Sequence, residues 1–243
     1  MTGRWRALWR LFAVQGAWNY ERMLGIGMGY AAEPMLEDLK SADPARHAEA
    51  AVRSAEFFNS HPYLAGLALG AVVRAEYDGL PGAQILRLRT ALCSPLGALG
   101  DRFFWAGLVP ACVGLALVFL TAGFIGPALA GLLILYNGIR VGTAVWGLAT
   151  GLRSGSKVGA AIGRSWLPRA AEAIGPVAGL TMGIAIPLVA GWYLRGAGVQ
   201  IAGVLGLAAL GVWLSWRFGN VATSPRFGLV TIVVGLLLAW GLH

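Results

Sequence analysis

Residues 103–139 carry no charged side chain over 37 consecutive positions, and a water-soluble domain has no place for such a run. A membrane-crossing helix needs about 20 apolar residues. The run therefore predicts two crossings, folded back at Gly123-Phe124-Ile125-Gly126-Pro127. The rest of the 243-residue chain agrees, being 57% hydrophobic and only 12% charged. Soluble domains carry about 25% Asp, Glu, Lys and Arg. Residues 173–194 and 196–216 are each long enough for one further crossing, and 227–242 is slightly short for one. Cys93 and Cys112 are too few for a disulfide framework or a zinc site, and no metal-ligand spacing is present.

Charge is distributed unevenly. Residues 1–101 hold ten basic and ten acidic side chains, whereas 102–243 hold nine basic residues against Glu172 alone, giving the net +8. These later cations sit singly at the ends of apolar runs, the pattern of the positive-inside rule and not that of a nucleic-acid surface. Arg153, Lys157, Arg164 and Arg169 place the loop 151–172 in the cytoplasm, and two crossings put the N-terminal region on the same side. Arg217 and Arg226 return to that side, which leaves Arg195 and His243 outside.

Trp5, Leu8, Trp9 and Phe12 recur at helical spacing beside Arg4, Arg6 and Arg10, which predicts an amphipathic helix in the headgroup region. A cleavable signal peptide fits less well, because Gln15 and Asn19 interrupt the apolar stretch. Gly25, Gly27 and Gly29 predict a chain break with close backbone packing. Asp43-Pro44 predicts an N-cap and first helical position, opening a helix with Ala48, Ala51, Val52, Ala55 and Phe58 on its apolar stripe. That stripe is expected to end at Asn59-Ser60-His61-Pro62. Glu33, Glu37 and Asp38 read as solvated surface.

Residues 63–73 are apolar but, at 11 residues, too short to cross, and predict a re-entrant segment or buried half-helix. Residues 85–93 predict a second short segment that breaks at 94–101. Interrupted segments of this kind mark transporter binding sites. Asn59, His61, Glu76 and Asp101 lie beside the breaks and are the candidate substrate-binding groups. Each has a structural alternative: Asn59 and His61 as helix caps, Asp101 as cap of the following span, Glu76 as a partner of Arg74. Asn137 and Arg140 share one helix face within an apolar span. Arg140 either snorkels to the surface or pairs with a carboxylate, Asp101 or one on another subunit. Gly155, Gly159 and Gly163, and also Gly179 and Gly183, have the spacing of close helix contacts.

Three strings occur in order: Trp18-Asn19-Tyr20-Glu21-Arg22-Met23, Phe57-Phe58-Asn59-Ser60-His61-Pro62 and Ser94-Pro95-Leu96-Gly97-Ala98-Leu99-Gly100-Asp101. Together they resemble the IID component of the mannose/fructose/sorbose family of the bacterial sugar phosphotransferase system. The resemblance implies a permease subunit in the cytoplasmic membrane, paired with a IIC subunit as a trimer of heterodimers. It implies a hexose-type sugar as cargo, moved by an elevator-like displacement of core domains. It further implies phosphate delivery by soluble IIA and IIB proteins, so no catalytic residue, cofactor or phosphohistidine is expected here and His61 is not a phosphocarrier. Trp18, Asn19, Glu21 and Arg22 would hold the N-terminal arm against the partner or the core. The family's Gly-Tyr-Lys string appears as Gly151-Leu152-Arg153, which keeps a charge at Arg153 for contact with the phosphoryl donor.

The expected architecture is an all-α integral membrane protein with amphipathic arm helices, re-entrant half-helices and about five transmembrane helices. In sequence, 1–58 is the cytoplasmic or interfacial arm, 59–101 the re-entrant transport core, and 102–243 the transmembrane part with its loop at 151–172. Two other classes remain open at this stage. One is a non-transporting interaction or regulatory subunit. The other is a membrane enzyme using His61 with Asp101 or Glu76.

Overall fold

A computed structural model describes residues 2–194, and these form a helical body with no named strand among them. One compact unit comprises Met1–Leu188; a second, Val189–His243, lies almost wholly outside the described residues. The crossings expected at 196–216 and 227–242 fall outside as well.

Three helical rods are long and apolar enough to cross a membrane: Gly82–Thr121, Ile125–Gly163 and Leu167–Trp192. The first joins α5 (Gly82–Gly100) to α6 (Val109–Thr121) through a π-helical segment, Asp101–Leu108. The break expected at 94–101 is thus absent, and Asp101 caps nothing. Ile85, Arg89, Leu92, Leu96 and Gly100 are buried at helical spacing straight through Pro95. Burial of that stripe outweighs the roughly 3 kcal/mol that an interior proline costs. Pro110 lacks the N–H for its own turn, a local cause for the wider π ladder just before it. The fold-back is where expected: α6 ends at Thr121, Gly123 adopts φ 89°, and α7 (Ile125–Ser154) begins. After α7, the short α8 (Val158–Gly163) leads into α9 (Leu167–Leu194).

The N-terminal part packs as smaller helices: α1 (Arg4–Leu11), α2 (Gly25–Ala42) and α3 (Pro44–Ser54). α1 turns Ala7, Leu8 and Leu11 inward and leaves Trp5 and Trp9 exposed. It is pinned to α2 by Arg6–Glu37 (3.4 Å), Arg10–Glu33 (2.8 Å) and Thr2 on the Asp38 carboxylate. Those three acids are exposed, yet they hold α1 rather than merely meeting solvent. Gly25, Gly27 and Gly29 open α2 instead of breaking the chain. Close packing is their reason, since a Cβ on Gly25 would strike the Glu56 carbonyl and one on Gly27 the Val14 carbonyl. Asp43 caps α3 as expected, accepting from the Arg46 N–H at 3.0 Å. The face of α3 differs from the expectation: Ala50 and Ser54 are buried, Val52 is exposed, and the helix ends before Phe58.

The core element is α4 (Ala65–Tyr77), entered through a 3-10 turn at Pro62–Leu64. Every residue from Ala65 to Val73 is buried, so the expected buried half-helix is present. Its principal neighbour is α7. Gly66 and Gly70 face Gly147 and Gly151 across this contact. A Cβ on Gly70 would lie 2.6 Å from the Leu148 carbonyl oxygen, and one on Gly151 would strike the Leu67 carbonyl. Small residues at this spacing let two backbones touch. Gly159, Gly163, Gly179 and Gly183 have open space around them within the described residues, so their spacing serves no such contact here.

This crossing gives a testable outcome. Gly151→Ala inserts a methyl into main-chain atoms and is expected to destabilise the fold by about 1–3 kcal/mol, the usual range for overpacking. Gly159→Ala, with the same gain in helix propensity, is expected to be neutral or mildly stabilising. Thermal unfolding in detergent measures both, and equal midpoints would contradict the crossing.

Candidate functional site

The entry to α4 carries a polar cluster. His61, 2% exposed, precedes Pro62, whose fixed φ starts the 3-10 turn. Its Nδ1 accepts the Tyr63 N–H at 3.3 Å, which makes His61 the cap foreseen for this helix end. In the neutral ring Nε2 then bears the proton, and that atom is buried without a hydrogen-bond partner. Burial lowers the imidazole from its ordinary value to about 4, so the ring is neutral at physiological pH.

Aromatic rings wall the imidazole. Phe104 stacks on it at 5.0 Å and 13°, Tyr63 meets it edge-on at 5.0 Å, and Trp105 lies 5.5 Å away. Phe104 and Trp105 come from the π segment, and Gly100 admits this approach because a Cβ there would overlap His61. On the α7 side, the Tyr136 and Tyr63 hydroxyls are 3.2 Å apart. The Arg140 guanidinium stands 4.6 Å from the Tyr63 ring centre and 5.5 Å from that of Phe12. Its Nε is buried without a partner. The carboxylate expected for Arg140 is not Asp101, which is exposed on the rod; aromatic faces take that place. Beside Arg140 a cleft of about 10 Å³ is bounded by Phe12, Gln15, Tyr63 and Ala144, space for a single water.

The loop bearing His61 is clamped from two sides. Asn19 accepts the N–H groups of Glu21 and Arg22 (3.1 and 2.9 Å), making a tight turn. Arg22 then donates to the Ala55 carbonyl at 3.2 Å. Main-chain bonds Phe58 N–H to Arg22 O and Leu24 N–H to Phe58 O bind the first sequence string to the second. From α5, the buried Arg89 donates to the Glu56 carbonyl at 2.6 Å and covers the Phe58 ring at 5.1 Å. Arg22 thus holds the N-terminal arm to the core, as expected. Trp18 is 46% exposed beside Tyr20, and Glu21 is exposed.

Other candidates lie elsewhere. Glu76 is fully buried at the opposite end of α4, and both its oxygens accept from Arg53 at 2.9 Å, with Arg46 at 3.8 Å. That bidentate contact, with Glu49 adding to it, raises the Arg53 guanidinium above its ordinary value. Arg74 pairs instead with Asp78 at 2.8 Å. The acid–base pairing of His61 with Glu76 or Asp101 is therefore not formed. Asn59 is exposed, and Asn137 bonds the Leu133 carbonyl of its own helix at 2.9 Å. Arg153 lies near the end of α7, 3.4 Å from the Thr150 hydroxyl. Sequence reasoning missed Tyr63, Tyr136 and Arg89. The available signal was a hydroxyl or cation inside an otherwise apolar segment.

The model of the PTS system mannose/fructose/sorbose family IID component matches residues 2–194 of this chain. The mannose-specific EIID component of Escherichia coli K12 is 30% identical over 164 residues, which cover 65% of this chain and 57% of that protein. The sorbose-specific EIID component of Klebsiella pneumoniae is 27% identical over 231 residues, 92% of this chain and 81% of the relative. The matched stretch thus spans little more than half of the E. coli protein. A solved structure of the mannose transporter ManYZ with microcin E492 has a chain of like fold. Its TM-score is 0.58 at 21% identity, over 97% of this chain and 94% of that one.

The Glu76 ion pair is testable by substitution. Glu76→Gln strands two buried or half-buried guanidinium groups and is expected to cost about 3–5 kcal/mol in stability. Replacing the pair together, Arg53→Met with Glu76→Met, is expected to recover much of that loss. A Glu76→Gln protein as heat-stable as the parent would deny the link between α3 and α4.

Proposed function

The chain belongs to the mannose/fructose/sorbose family of PTS IID components, and on that premise we propose that it is a permease subunit for hexose-type sugars. In this reading it sits in the bacterial cytoplasmic membrane, N-terminus inside and C-terminus outside. It lines the sugar path together with a IIC subunit, in a trimer of such heterodimers, and uptake is coupled to phosphorylation by cytoplasmic IIA and IIB proteins. The relatives' names, which specify mannose and sorbose, support the substrate class.

One observation carries the reading: two buried donors without partners, His61 Nε2–H and Arg140 Nε–H, lie beside the paired hydroxyls of Tyr63 and Tyr136. Unpaired buried polar groups are costly, roughly 1–3 kcal/mol each, and a fold retains them where another molecule satisfies them. A sugar offers hydroxyl acceptors for such donors, and the half-exposed Trp105 ring offers an apolar face for its C–H surface. Asn59, Asp101 and Asn137 are exposed and free to meet the IIC subunit or the sugar from the rim. Trp18 and Glu21 are the arm residues available for the companion chain, since Asn19 and Arg22 are spent on the internal turn. Glu76 is occupied by arginines and serves the fold.

The test is sugar uptake by cells carrying the IIC, IIA and IIB proteins, at matched membrane abundance. His61→Gln and Arg140→Gln are each expected to lower uptake at least fivefold, from the loss of about 1 kcal/mol or more per contact. Co-purification with IIC is expected to persist. Undiminished uptake in both variants would remove the cluster from the path, and absence of any IIC complex would overturn the subunit assignment.

A further inference from the structure

The three basic residues of α1 do not share one role. Arg6 and Arg10 are committed to Glu37 and Glu33, while Arg4 pairs with no carboxylate among the described residues. Arg4 instead borders a groove of about 420 Å³ between α1, α4 and α7, lined also by Trp5, Arg74, Val145, Leu152 and Arg153. No acidic side chain lines it. Of its three guanidinium groups, that of Arg74 is shared with Asp78 outside the lining, and that of Arg153 reaches only the Thr150 hydroxyl. The groove therefore combines an apolar wall with two uncompensated positive charges at its rim, next to a 72% exposed tryptophan.

We propose that this groove seats an anionic phospholipid, its phosphate held by Arg4 and Arg153 and an acyl chain lying along Val145 and Leu152. Free phosphate would leave the apolar wall uncovered, and a zwitterionic lipid would bring its own cation towards the arginines. Charge and surface match together only for an amphiphile with a net negative head. The site explains why Trp5 and Trp9 stay on the outer side of α1: they rest at the headgroup level while Leu8 and Leu11 anchor the helix to the protein. The inference stands on the groove alone and is independent of the sugar reading.

Native mass spectrometry of the detergent-purified chain, with its IIC companion where one co-purifies, tests it. Equal amounts of phosphatidylglycerol and phosphatidylcholine with the same acyl chains are offered, and inorganic phosphate separately. The expected result is retention of phosphatidylglycerol over phosphatidylcholine, with no adduct of phosphate. Each arginine near a membrane surface contributes roughly a fivefold factor. Arg4→Gln with Arg153→Gln is therefore expected to reduce the preference at least tenfold, whereas Arg164→Gln with Arg169→Gln preserves it. Equal retention of the two lipids, an unchanged preference in the Arg4/Arg153 variant, or a preference lost equally in both double variants would overturn the proposal. Displacement of phosphatidylglycerol by the IIB protein in the parent but not in the Arg4/Arg153 variant would reassign the groove to protein docking.

Discussion

The close approach of α4 to α7 governs the rest of the molecule. α4 has 13 residues, too few to cross a bilayer, and its flanks from Ala65 to Val73 are buried. It keeps its place because Gly66 and Gly70 press against the main chain of α7 at Gly147 and Gly151. In an apolar surrounding, dispersion contacts between backbones at such short range supply much of the attraction that the hydrophobic effect supplies in water. Position both ends of that helix, and both polar centres of the protein are positioned with it.

Those two ends are treated in opposite ways. At the C-terminal end, Glu76 is buried but its oxygens are filled by Arg53, with Arg46 in reach, so the charge is compensated within the fold. At the N-terminal end, the His61 ring is equally buried, yet Nε2 lacks a partner, as does Arg140 Nε across from it. The first arrangement is that of a structural tie. The second leaves donors poised for something that arrives from outside the chain. The His61 loop does not owe its order to that visitor, since Arg22 and Arg89 already fasten the carbonyls of Ala55 and Glu56.

The π segment links this loop to the first long rod. Its widened ladder brings Phe103 and Phe104 both into buried positions one residue apart, and it directs Trp105 outward beside the imidazole. A regular helix separates neighbours by about 100°, which makes such a pairing of adjacent buried rings harder to achieve. The aromatic wall therefore depends on an irregular backbone near Pro110 as much as on the aromatic residues themselves.

The sequence by itself determined the elements whose cause is local or one-dimensional. The uncharged stretch 103–139 specified a membrane helix pair and its turn, Asp43-Pro44 specified a helix start, and the brevity of the apolar segment at 63–73 specified a half-helix. The three strings were enough to suggest the family. Only the tertiary structure decided what faces what. Pro95 reads as a break by propensity, yet a buried stripe from Ile85 to Gly100 carries the helix through it. Glu76 has Arg74 two residues away, but α3 delivers Arg53 from more than twenty positions earlier. Which glycine pair would touch, and that Tyr63 and Tyr136 would share a hydrogen bond across 73 positions, depended on the docking of whole helices. Spacing along a chain fixes the faces of one helix; the partner of each face is set by three-dimensional packing, which one-dimensional order does not encode locally.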